Sequence, residues 1–122
     1  SRQQQAMLVY LVNHPELLSE FTEEIADLRL NSRDLDHLRS ALVDLIADDP
    51  TLDSEGLRCQ LEQQGFAAVL KGLLSKDIYD LFHSARPGAS LSEAREHWLE
   101  ALAEQKARSM AANPDADCEQ MP

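Results

Sequence analysis

Basic residues are scarce in this chain: eleven Lys and Arg stand against 22 Asp and Glu, a formal charge of −11. That balance opposes general binding to nucleic acid, whose affinity comes largely from neutralised phosphates, and it favours a protein partner. Val, Ile and Thr are sparse beside Leu, which argues for helices over strands. Cysteine occurs only at Cys59 and Cys118, which do not form a metal-ligand spacing. No disulfide framework is implied, and a reduced, cytosolic compartment is the simplest reading. No apolar run approaches the roughly 18 residues that suggest a membrane span, and nothing resembles a signal peptide. An initiator Met is missing too: the chain starts Ser1-Arg2, as a piece cut from a longer protein would.

The signatures of catalysis are equally absent. His14, His37, His83 and His97 fall on different segments and form no H-E-x-x-H or comparable ligand pair. The acidic turn at 48–55 lacks the alternating ligands, central Gly and distal Glu of an EF-hand loop and reads as two helix ends. No Gly-rich phosphate loop, G-x-S-x-G elbow or paired acid/base motif is present, so neither an active site nor a bound cofactor is expected here. Two helices, Ser32 to Asp48 and Ser54 to Gln64, could imitate a helix-turn-helix DNA reader. Between Ser32 and Gly65, however, three basic residues face eight acidic ones, the wrong field for a recognition helix.

What the chain does have is a helical pattern from end to end. Met7 to Val12 is apolar on every side, so a helix over Arg2 to Asn13 has to be surrounded by other segments. Asn13-His14-Pro15 stops it, and Pro15 suits the first turn of a short helix over Pro15 to Ser19. Phe21, Ile25 and Leu28 stripe a third helix. Asn31-Ser32 caps a fourth, with Leu35, Leu38, Leu42, Leu45 and Ile46 on one face. Asp53-Ser54 opens a fifth, carrying Leu57 and Leu61 and ending at Gly65. A single sixth helix is predicted from Phe66 to about His83, striped by Phe66, Leu70, Leu73, Leu74, Ile78 and Leu81.

Arg86-Pro87-Gly88-Ala89 is the strongest break. After it, Ser90-Leu91-Ser92-Glu93 is a capping box for a helix reaching about Ala112. Its inner face starts as Leu91, Ala94, Trp98, Ala101, Leu102 and Gln105, and beyond Leu102 it has mainly Ala with which to anchor itself. Trp98 fits either of two roles, closing this helix onto the bundle or forming an interface hot spot. The tail at 113–122 holds three acidic residues, two prolines and no base, and is expected to be disordered.

The expected architecture is therefore all-α. A compact multi-helix bundle over residues 1–86 is followed by a long helix over 87–112 and the acidic tail. The core scaffold is expected to include Leu8, Leu11, Leu17, Leu18, Phe21, Ile25, Leu35, Leu38, Leu42, Leu45, Leu70 and Leu74.

The order of these segments carries a resemblance. An apolar helix closing in Leu11-Val12-Asn13-His14-Pro15-Glu16-Leu17-Leu18, a short Phe21 to Leu28 segment, then a helix with Leu35, Leu38 and Leu42, resembles the C-terminal helicase-binding domain of bacterial DnaG-type replicative primases. The resemblance covers about Gln4 to Arg108. The N-terminal domain of DnaB-type helicases has a related fold and a similar N-P-E-like turn. In the primase family a compact subdomain leads through a long helix into a terminal hairpin. Here Asn113-Pro114 and the acidic tail cannot supply a second hairpin helix, so the hairpin is reduced or truncated.

The resemblance implies a non-catalytic domain, monomeric alone, that docks onto the N-terminal domain of the DnaB-type helicase in the bacterial cytoplasm and couples primer synthesis to unwinding at the fork. Nucleotidyl transfer, zinc and magnesium would belong to other parts of a parent primase. By position on the long helix, Arg95, Trp98, Leu99, Leu102, Gln105, Lys106 and Met110 are the expected helicase contacts. The alternatives are the helicase's own N-terminal collar domain and, from another class, an acidic helical transcription regulator.

Overall fold

The computed structural model describes residues 2–111, with side-chain surroundings through 108. Its described residues are all-helical. The elements are α1 (Arg2–Asn13), α2 (Glu16–Glu20), α3 (Thr22–Ala26), α4 (Arg33–Asp48), α5 (Ser54–Gln63), α6 (Ala67–Leu73), α7 (Lys76–Leu81), a 3-10 turn (His83–Ala85) and α8 (Leu91–Ala111).

α1 is the axis of the bundle. It touches α2, α4, α5, α6, α7, α8 and the 3-10 turn. Every side chain from Ala6 to Val12 is buried, as a helix without a polar side requires. Full burial of a large aliphatic side chain contributes about 1.5–3 kcal/mol, so this one helix is a major part of the stabilising core. Leu17, Leu18, Ile25, Leu35, Leu38, Leu42 and Leu70 close around Leu8 and Leu11 as expected, whereas Phe21, Leu45 and Leu74 pack on the core only half-buried.

The helix ends follow from local chemistry. Ser32 Oγ accepts the Leu35 amide (3.4 Å) at the start of α4, and Asp53 Oδ1 accepts the Gly56 amide (2.8 Å) at the start of α5. α5 ends in a Schellman motif. Phe66 N–H donates to the Leu61 carbonyl (3.0 Å) and Gly65 N–H to that of Glu62 (3.1 Å), with Gly65 at φ 96°. Arg39 of α4 donates to the carbonyls of Ile25 (3.3 Å) and Ala26 (3.0 Å) at the end of α3, where the Ile25 carbonyl also accepts from the Leu28 amide (3.1 Å).

The sixth segment departs from expectation. The stretch from Phe66 to His83 is two helices, because Leu74 (φ −83°, ψ 59°) and Ser75 (φ −113°, ψ 160°) leave helical geometry between them. The break resets the helical phase. Ile78 stays in the core, but Leu81, expected on the inner stripe, is turned outward and 59% exposed.

α8 begins where Ser90 Oγ accepts the Glu93 amide (3.1 Å) and donates to the Glu93 carboxylate (3.4 Å). It then lies along α1 and the 3-10 turn, in contact with the bundle as far as Gln105. The tail at 113–122, including Cys118, lies outside the described residues.

Candidate protein interface

The buried positions on α8 are Ala94, Trp98, Ala101, Leu102 and Gln105, spaced i, i+4, i+7, i+8 and i+11 along one stripe. Three of the expected helicase contacts, Trp98, Leu102 and Gln105, fall on this buried stripe. Trp98 is fully enclosed, with its ring stacked on Phe21 (centroids 5.2 Å apart, planes at 27°), and its indole Nε1 is buried with no hydrogen-bond partner. Leu102 is buried beside it. Gln105 is buried in a side-chain amide network: Gln4 Nε2 donates to Gln105 Oε1 (3.0 Å), and Gln105 Nε2 donates to Gln3 Oε1 (3.0 Å). The seam extends outward as Gln3 Nε2 donates to Glu104 Oε1 (2.7 Å). Trp98 holds α8 to Phe21 and Gln105 holds it to α1, and with Leu102 they have little surface to offer a partner.

The other expected contacts are placed differently. Arg95 is half-buried and donates through Nε to Glu20 Oε1 (2.9 Å), pinning α8 to the end of α2. Leu99 is 38% exposed on the outer face. Lys106 is exposed and lines, with Arg29, a depression that Glu23, Glu24 and Asp27 also line. The side chain of Met110 lies outside the described residues. Leu99 and Lys106, with Arg95 behind them, are the part of the expected set still open to a partner.

A second feature escaped sequence reasoning. Tyr10 Oη and Ser84 Oγ share a 2.5 Å hydrogen bond, and Ser84 Oγ shares another of 2.5 Å with His97 Nδ1. This chain joins α1, the 3-10 turn and α8. Burial pushes the Tyr10 phenol above its ordinary 10.0; the Ser84 hydrogen bond opposes the shift, and the charge of Glu100 adds to it. Nearby, Asn13 Nδ2 donates to the Ala85 carbonyl (2.9 Å) and to Tyr79 Oη (3.0 Å), and His14 Nε2 shares a 3.0 Å hydrogen bond with the Arg86 carbonyl. The Asn13-His14-Pro15 turn is thus tied to the Pro87-Gly88 break 72 positions away. Polar residue types at the end of an apolar helix were the only available signal, and they do not name their partners.

The Tyr10, Ser84 and His97 side chains form the wall of a groove of about 370 Å³ between α1 and α8, with Leu81 among the residues lining it. Glu93, Glu100 and Glu104 line its α8 side, and among the described residues no Lys or Arg lines it. Among the described residues no group of three or more His, Cys, Asp or Glu is disposed to hold a metal ion, and no helix is long and apolar enough to cross a membrane. Cys59 is exposed and free.

No protein-family model, curated protein or solved structure matches the chain.

Proposed function

We propose that this chain is a non-catalytic interaction domain of a bacterial DnaG-type primase, which docks on the N-terminal collar of a DnaB-type replicative helicase and keeps primer synthesis beside the unwinding fork. The observation that carries the reading is the order of segments around α1. An enclosed apolar helix is stopped by Asn13-His14-Pro15-Glu16, covered by two short helices and the amphipathic α4, and followed beyond Pro87-Gly88 by the long α8. This is the order on which the family resemblance rests. The net charge of −11 agrees with a protein partner and not with a nucleic-acid one. Several equivalent sites on a helicase ring would let a modest single-site affinity suffice, since they raise the local concentration of docking sites.

Size-exclusion chromatography of the chain alone and mixed with the N-terminal domain of the cognate helicase tests the proposal. A monomer that co-elutes with the helicase domain at low salt supports it. Self-assembly into a ring, with no binding to the helicase domain, would assign the chain to the collar itself. Monomer behaviour with no co-elution would remove both readings.

A further inference from the structure

The groove between α1 and α8 combines two features that the packing of the domain leaves uncompensated. Leu81 is 59% exposed at its edge, the most exposed large apolar side chain among the described residues. Its α8 side carries three carboxylates, and the described lining holds His83 and His97 but no Lys or Arg. Glu93, Glu100 and Glu104 are spaced i, i+7 and i+11, so they fall along one side of the helix, and His97 lies between the first two. Glu104 is already engaged, accepting from Gln3 and lying 3.9 Å from Arg108, and Glu93 accepts from the Ser90 hydroxyl. Among the described residues Glu100, between them, makes neither an ion pair nor a hydrogen bond, and only its charge is felt, by Tyr10. The groove wall is fixed by the Tyr10–Ser84–His97 chain, so an occupant would meet a formed surface. At about 370 Å³ it sits at the low end of the roughly 300–1,000 Å³ of ligand clefts, room for a few side chains and not for a whole helix.

We propose that this groove docks a segment of a partner protein that presents one apolar side chain and one Lys or Arg a helical turn apart. The apolar side chain covers Leu81 and the cation pairs with Glu100, in the field of Glu93 and Glu104. Charge complementarity decides the occupant: an acidic segment would meet three like charges, and a purely apolar one would leave Glu100 facing a dry contact. The inference deepens the interaction-domain reading, on which it rests, by naming the surface and the chemistry of the partner.

The test uses the full chain, labelled with nitrogen-15 and titrated in two arms. In the first, the probe is the peptide acetyl-Leu-Ala-Ala-Arg-amide at millimolar concentration, with a counterpart carrying Glu in place of Arg. Resonances of Tyr10, Leu81 and His97 should shift with the Arg peptide, stay still with the Glu peptide, and lose the response in Glu100→Lys. In the second arm the probe is the helicase N-terminal domain, whose Kd should rise about tenfold in both Glu100→Lys and Leu81→Ala. Both residues are exposed, so unchanged circular dichroism and melting temperature should accompany these losses. Absence of shifts, equal shifts with both peptides, or shifts confined to another surface would overturn the groove. So would helicase binding that neither variant weakens, and that result would leave the interaction-domain reading standing. Peptide shifts at the groove without any helicase binding would uphold the groove and remove the helicase.

Discussion

Gln4 and Gln105, 101 positions apart, meet side chain to side chain in the buried seam between α1 and α8, with the Gln4 amide donating to the Gln105 carbonyl at 3.0 Å. Beyond Leu102, where Ala103 and Ala107 are exposed, this amide pair and the Gln3–Glu104 hydrogen bond (2.7 Å) hold α8 to α1. A polar pair enclosed in this way is specific, because each amide left without its partner pays its desolvation. Gln105→Ala should lower stability by about 1–3 kcal/mol in urea unfolding. Combined with Gln4→Ala, the loss should be less than additive, because either substitution alone already removes the hydrogen bond that the two side chains share.

Trp98 separates a packing role from a contact role. Trp98→Ala should cost about 3–5 kcal/mol, the usual price of emptying a large buried aromatic site. Trp98→Phe should cost much less, since it keeps a ring against Phe21 and removes an indole N–H that has no partner. If the domain binds a helicase, the Phe variant should bind as tightly as the parent chain. A large loss of affinity with unchanged stability would show that the indole reaches the partner after all.

Two glycines should respond to alanine with opposite signs. Gly65 is at φ 96° with open space around it, so a Cβ meets only the backbone penalty of the left-handed region. Gly65→Ala should destabilise by about 1–2 kcal/mol. Gly72 lies within α6, also with nothing within 4 Å of an added Cβ. Gly72→Ala should stabilise by up to about 0.5–1 kcal/mol, and thermal melts of the two variants should bracket the parent.

Stability should fall at both extremes of pH through identifiable groups. The Tyr10 phenol is raised above 10.0 by burial, so its contribution is fully present below about pH 10 and is lost as pH rises through the folded-state value. Tyr10→Phe should flatten that alkaline slope. The Arg39 hydrogen bond holds Asp36 below the ordinary 3.8. Its contribution is present above that value and lost as pH falls through the lower folded one, and Asp36→Asn should remove this small acid-side dependence. Urea midpoints measured across the pH range would check both.

The contrast between what was legible and what was not has a physical cause. Local signals were reliable: the apolar run of α1, the caps at Ser32, Asp53 and Ser90, and the stop at Gly65 each act within a few residues of themselves. The α6–α7 break was missed because Leu70, Leu73, Leu74, Ile78 and Leu81 keep helical spacing straight through it. Only the backbone at Leu74 and Ser75 reveals the reset that turns Leu81 outward. The inner stripe of α8 was readable from Ala94, Trp98, Ala101, Leu102 and Gln105. The same stripe excludes Trp98, Leu102 and Gln105 as free contacts, a conflict that only packing against α1 exposes. The Tyr10–Ser84–His97 chain joins residues 74 and 13 positions apart, and no periodicity encodes such a meeting.

The central claim is helicase docking, and isothermal titration of the chain into the intact hexameric helicase tests it most directly. A saturable isotherm with at most one domain per helicase subunit, weakened by added salt, is the expected result. No measurable heat at low salt, together with no retardation of the chain in sedimentation with the same hexamer, would contradict it.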